Sequence, residues 1–181
     1  MSAQLQKDFD LKRLTSLLSE FEDGSGELYQ IVVDAMRAAG EEAVFNIAAN
    51  TPVGVTGELR ASIASGEPVM RGDAVQVTIS TPLPYGAAVE YGRAPGKAPM
   101  VRNLDGTFSA VPSLELWVKR VLGVPDADVP GVAFAIARRI KYKGTKGAHM
   151  FELGLAQAEP GINKILEKAL DDIIRALGDT L

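Results

Sequence analysis

The chain contains a single histidine, His149, and no cysteine. Those two facts bound its covalent chemistry. Without cysteine there is no disulfide, no thiol nucleophile and no thiolate metal site. A Ser-His-Asp triad would have to use His149, because no other imidazole can act as general base. A histidine-based metal site would need carboxylates for its other ligands. The plainer reading is a loop histidine near a helix start. The acid pairs Glu41-Glu42 and Asp171-Asp172 fall in helical patterns. Adjacent helical positions point in different directions, so such pairs do not converge on one substrate and read as solvated faces. "GRAPGKAP", 92–99, approaches a phosphate-binding loop. It has three residues between its glycines where that loop has four, and Ala98 where the metal-binding hydroxyl belongs. "RGD", 71–73, reads as a hairpin turn with no adhesive meaning. The expectation is therefore no enzyme, no metal and no cofactor.

"RRIKYKGTKGAH", 138–149, carries more. Arg138, Arg139, Lys141, Lys143 and Lys146 place five positive charges within nine residues with no acid between them. They can bind phosphates, with Tyr142 stacking on a base. They can equally form a basic helix C-terminus, favoured by the macrodipole, that runs into a solvated loop. The wider charge pattern points the same way. From Arg93 to His149 there are ten Lys or Arg against four acids, a balance of +6, while the remainder has nine against nineteen, or −10. Such asymmetry calls for a partner of the basic part: nucleic acid, an acidic protein surface, or the acidic part of a neighbouring copy.

At 181 residues the chain suits one domain, 1–181, with an inserted helical and loop region at about 93–149. It is long enough to bury a core without staples. Met1 to Asp10 is polar and acidic, without the apolar core of a signal peptide, and no run approaches the roughly 20 apolar residues that span a bilayer. A soluble protein with no membrane partner is expected.

The elements that position these groups follow from periodicity. Residues 8–22 read as a short helix, and Asp23 to Gly26 as a break. A longer helix, Glu27 to Ala49, ends at Asn50-Thr51-Pro52, because the residue before a proline avoids the helical region. Thr56 then caps a short helical turn whose Leu59 and Ile63 share one face. A hairpin follows, with Glu67 to Met70 as an edge strand and Val75, Val77 and Ile79 alternating in its partner. Tyr85 to Tyr91 forms a short helix stopped by Gly92. Arg93 to Gly106 is an exposed loop whose tip, Asn103 to Gly106, has hairpin chemistry, with Val101 and Phe108 as flanking strands. Helices follow from Pro112 to Gly123 and from Val129 to Tyr142, the second burying Val132, Ala135, Ile136 and Ile140. A brief helix, Met150 to Gln157, precedes a final one that starts at Pro160. That last helix buries Ile162, Ile165, Leu166, Leu170, Ile173, Ile174 and Leu177. The fold class is α+β: a small antiparallel sheet packed against the long helix and the C-terminal helix, with a helical insertion.

Three stretches, in order, carry a resemblance. They are Pro52-Val53 with Thr56 to Ile63 (TGELRASI), Pro84 to Gly92 (PYGAAVEYG), and Gly144 to Gly147 leading into Met150 to Leu155. Over roughly 27–178 the chain resembles the tail-completion, or head–tail joining, proteins of long-tailed bacteriophages, an HK97-type tail-component family. It departs from that pattern in having Gly54-Val55 before Thr56-Gly57, about fifty residues between Gly92 and the terminal segment, and His149 before Met150-Phe151. The resemblance implies a non-catalytic virion protein of the neck. It implies a homo-oligomeric ring, often six-fold, at the head-proximal end of the tail. Its neighbours would be the tail terminator and the head-side connector, and genomic DNA would pass through it. Such a protein is made in the bacterial host cytoplasm and ends in the virion. Read from the residues themselves, Glu58 and Arg60 of the first motif face outward on a turn pinned by Leu59 and Ile63, either as a plain connector or as a subunit contact. In the second motif Tyr85 and Tyr91 bury their rings with Glu90 presented to a neighbour, or all three close a sheet edge of the protein. Arg138, Arg139, Lys141, Lys143 and Lys146 are its expected assembly or DNA-facing surface. The alternative is a nucleic-acid-binding protein using 138–146, and a further rival is a small hydrolase centred on His149.

Overall fold

A computed structural model of the chain describes residues 19, 21 and 26–178, except 73 and 97. The expected helix 8–22 lies outside the described residues but for Ser19 and Phe21, both helical. Six helices are present among the described residues: α1 (Gly26–Asn50), α2 (Glu58–Ala61), α3 (Gly86–Tyr91), α4 (Pro112–Leu122), α5 (Val129–Lys143) and α6 (Met150–Gly178). The strands are β1 (Ala64–Ser65), β2 (Val69–Arg71), β3 (Ala74–Gln76), β4 (Ile79–Ser80), β5 (Gly92–Arg93), β6 (Met100–Arg102), β7 (Phe108–Ala110) and β8 (Thr145–Lys146). They pair only in twos, β1 with β4, β2 with β3, β5 with β8 and β6 with β7. The class is α+β as expected, but the single small sheet is replaced by four short ladders. The expected strand through Ile79 divides at Val77-Thr78, although its alternation of half-buried and exposed residues continues from Ala74 to Ser80.

The described chain divides into two compact units: 26–43, 65–79 and 158–178 in one, and 44–64 and 80–157 in the other. In the first unit, Val33, Ala35, Ala39 and Ala43 are buried along α1. Gly40 lies so close to Ser65 and Val77 that a Cβ there would collide with the Ser65 hydroxyl. Gly161 of α6 approaches Glu42 in the same way, a Cβ falling 2.8 Å from its Oε1. Small residues thus let helix backbones approach strand and helix closely. Arg37 reaches Asp34 at 2.8 Å and Glu67 at 3.1 Å. These pairs are exposed and add little to stability.

In the second unit, Ile47, Leu59, Ile63 and Met150 are buried. Gly154 sits on Ile47, where a Cβ would come 2.5 Å from the Ile47 Cα. Buried Thr51 closes α1 by donating its hydroxyl to the Ile47 carbonyl at 2.7 Å. The inserted helices have a core of their own: Ala110, Val118, Val129, Ala133 and Ala137, with Met100, Leu114, Trp117, Val124, Val132 and Ile136 packed around it.

Four expectations need correction. Thr56 caps nothing: the N-cap of α2 is Gly57, in the left-handed region at φ 69°, with no side-chain hydrogen bond. On α5 the buried line is Val129, Ala133 and Ala137, four residues apart on the face that forms the insert core, whereas Ala135, two residues on from Ala133 and so on the far side of the helix, is exposed. Met150 to Gly178 is one helix with Pro160 inside it, not two. Proline removes one backbone hydrogen bond and usually costs about 3 kcal/mol. Here Gly154 lies close against Ile47 and Gly161 against the Glu42 side chain, one on either side of Pro160 in sequence. Finally, Leu166, Leu170 and Ile174 are not buried but 41%, 56% and 58% exposed.

Candidate functional site

The second and third sequence motifs lie more than fifty residues apart and meet in one stem. Strand β5 pairs antiparallel with β8, Gly92 opposite Lys146 and Arg93 opposite Thr145. The insert 94–143 leaves and returns through this two-residue ladder. At one end Gly92 has φ 78° and ψ −168°; at the other Gly144 has φ 69° and ψ −165°. Both conformations belong to a region that is essentially glycine-only. A Cβ on Gly92 would strike the Thr145 carbonyl, one on Gly144 the Arg93 carbonyl, and one on Gly147 the Glu90 carbonyl.

Below the ladder, α3 and α6 cap each other. The last carbonyls of α3 need donors, and Ala148 N reaches the Val89 carbonyl at 2.7 Å while His149 N reaches that of Glu90 at 3.1 Å. The first N–H groups of α6 need an acceptor, and the Glu90 carboxylate supplies it. Its Oε2 accepts from Phe151 N at 2.9 Å and its Oε1 from Glu152 N at 3.4 Å. Glu90 is 5% exposed. A carboxylate there is favoured by the helix dipole. The expectation that Glu90 is presented to a neighbour is therefore corrected: its charge is turned inward because α6 requires it. Tyr91, by contrast, is 78% exposed, and Tyr85 is at the exposed margin.

The first motif serves a similar end. Arg60 Nη2 donates to the Thr51 carbonyl at 3.0 Å and reaches that of Ala49 at 3.4 Å. Helix α1 has no basic residue in its last turn, so Arg60 brings a cation to its C-terminus from the next element. The Ser62 and Thr81 hydroxyls lie 2.7 Å apart. Gly86, the first residue of α3, fits against Thr81 and Leu59. Glu58 remains exposed near Tyr85. Partial burial, and then the Glu58 carboxylate, push the Tyr85 phenol above the ordinary tyrosine range.

The basic segment divides between faces. Arg138, Lys141 and Tyr142 line a cleft of about 460 Å³ with Met100, Phe108 and Phe134. The Arg138 guanidinium stands 5.9 Å from the centre of the Tyr142 ring, within cation–π range. Arg139 and Lys143 are exposed but do not line this cleft, and Lys146 belongs to β8. The five charges are thus not one patch. A helix advances about 100° per residue, which turns 139 and 143 away from 138 and 142. The aromatic lining escaped the sequence reading. Phe108 was legible only as a strand residue, and Phe134 lies between the small residues that α5 buries. The hairpin beside the cleft also exposes Val101 and Leu104.

The hairpin tip is ordered by Asp105. Its Oδ1 accepts from Thr107 N at 2.9 Å and from the Thr107 hydroxyl at 2.7 Å. The hydroxyl bond first, then the backbone bond, hold the Asp105 carboxyl below the usual carboxylate range. A depressed folded pKa means that its contribution is present above the unfolded value, about 3.9, and fades as pH falls through the folded one. Acid titration followed by NMR should show the Thr107 amide shifting with a midpoint below the ordinary aspartate value. Asp105→Asn should abolish that titration.

His149 is exposed at φ 51°, with its Nδ1 3.0 Å from Glu152 Oε2. Among the described residues no three His, Asp or Glu gather as metal ligands, and no helix is long and apolar enough to cross a membrane. No curated protein and no solved structure matches the chain. Residues 13–92, which contain the first two motifs and end at the first residue of the stem, match the family described as "HK97-gp10_like: Bacteriophage HK97-gp10, putative tail-component".

Proposed function

We propose that this chain is a structural virion protein of the phage neck. Copies assemble as a ring at the head-proximal end of the tail and support its joining to the DNA-filled head. The single observation that carries this reading is the tail-component match over 13–92. The geometry fits it. Buried polar groups of the matched motifs, Glu90 above all, are spent on capping helices, and the exposed groups offer surface rather than a convergent reactive centre. The ring would contact the tail terminator and the head-side connector, and would leave a passage for genomic DNA. Heterologous contacts between copies close into rings when the rotation allows.

The test is genetic complementation. A phage lacking this gene should accumulate heads and tails that do not join. Supplying wild-type protein or His149→Ala should restore joined, infectious particles equally. A loss of titre with His149→Ala, in a protein that still folds, would support chemistry at that residue instead.

A second reading has one observation in its favour, the stacked Arg138–Tyr142 pair in a basic cleft. Binding to single-stranded nucleic acid through 138–146 would then give the isolated protein measurable affinity with a steep salt slope.

A further inference from the structure

We infer that the aromatic–basic cleft of the insert receives the exposed apolar stripe of α6 from a second copy of this chain. The inference rests on the proposed assembly reading and names its contact. Leu166, Leu170 and Ile174 recur every four residues and form one stripe along α6, each more than 40% exposed. Beside it stand Glu167 and Asp171, also four apart and also exposed. Asp172 is paired with Arg175 at 2.8 Å, but among the described residues Glu167 and Asp171 form no ion pair.

The cleft presents the converse arrangement. Its lining includes the apolar Phe108, Phe134 and Met100 together with Arg138 and Lys141, three residues apart on α5. At 1.5 Å of rise per residue the two cations are separated by about 4.5 Å along their helix and the two acids by about 6 Å along theirs. One turn of each helix therefore offers two charges beside an apolar surface. Laid against the cleft, the stripe would cover Phe108 and Phe134 while its acids met Arg138 and Lys141. The same partition of charge extends over the chain, +6 in 93–149 and −10 in the remainder. The favoured occupant is thus a second copy, which carries an acidic-flanked apolar helix of its own. A head-to-tail contact of this kind uses a different surface on each partner, so it can propagate around a ring.

The experiment is a charge reversal and its rescue in the full chain, read by sedimentation over a concentration series. Wild type should self-associate. Arg138→Glu with Lys141→Glu, or Glu167→Lys with Asp171→Lys, should each weaken self-association on the order of a hundredfold, because like charges then face one another. A chain carrying all four changes should recover most of it. All four positions are exposed, and circular dichroism checks that each variant folds. A wild-type chain that stays monomeric, reversals that associate like wild type, or a fourfold variant that does not recover would each overturn the contact. So would loss of single-stranded DNA binding, with self-association unchanged, in Arg138→Glu with Lys141→Glu. Packaging of the same variants into particles reads the assembly proposal separately. Variants that fail in solution behaviour as predicted yet still enter the tail would leave that proposal standing with a different contact, whereas absence of wild type from the tail would remove the proposal itself.

Discussion

Gly92→Val should be the most damaging single change in the stem, lowering the unfolding free energy by about 3 kcal/mol or more. Two costs add. The conformation at φ 78° and ψ −168° is closed to a β-branched residue, a strain of roughly 1–3 kcal/mol. The new Cβ would also point at backbone rather than at a flexible side chain, with the Gly147 nitrogen 2.7 Å and the Lys146 carbonyl carbon 2.9 Å away. Backbone cannot rotate aside, so β5 must part from β8, and overpacking of this kind typically costs a further 1–3 kcal/mol. Urea denaturation of the full chain gives the number. Hydrogen exchange gives the location: the amides of 145–149 should lose protection before those of α4 and α5, whose core is their own. Gly123→Ala is the control. That glycine is also left-handed, at φ 66°, but a Cβ there meets nothing, so only the smaller conformational cost of roughly 1 kcal/mol applies.

Glu90→Ala should cost about 2 kcal/mol. It strips the first turn of α6 of its acceptor and leaves the Phe151 and Glu152 N–H groups without the carboxylate that satisfies them. Glu90→Gln keeps an oxygen for one of them but turns an NH2 donor toward the other and loses the charge, so its cost should fall between zero and that of the Ala variant. The ordering separates capping from a surface role. If Glu90 acted at a subunit contact, Gln and Ala would alter assembly while leaving monomer stability unchanged. Thermal unfolding of the monomer in low-concentration solution distinguishes the two, with the Ala variant melting lowest and the Gln variant between it and wild type.

Local grammar in the chain reports most of its helices. Pro52, Gly92, Gly123 and the apolar spacing of 26–50 delimit elements through local sterics, and the structure places them within a residue or two. What periodicity does not carry is which apolar stripe finds a partner. Leu166, Leu170 and Ile174 have the same spacing as buried residues, yet among the described residues they stay 41%, 56% and 58% exposed. Pro160 illustrates the limit from the other side, since a local breaker stands inside one helix whose Gly154 and Gly161 lie close against Ile47 and Glu42. The candidate site divides similarly. Arg138 and Lys141 stand out by charge alone. The inward turn of Glu90 depends on the N-terminus of a helix sixty residues later, which no local pattern announces. Phe108 and Phe134 are joined only by tertiary packing of the hairpin against α5.

The matched segment stops at Gly92, while the groups best placed for contact lie in the insert and on α6. On the proposed reading, the matched segment supplies the scaffold while the insert and α6 supply the contacts. Cryo-electron microscopy of the intact particle, with this chain traced in the density, tests that account most directly. The account predicts a ring of copies at the junction of tail and head, each insert cleft covered by a helix of its neighbour. Particles whose tails and necks contain no copy of the chain would contradict it.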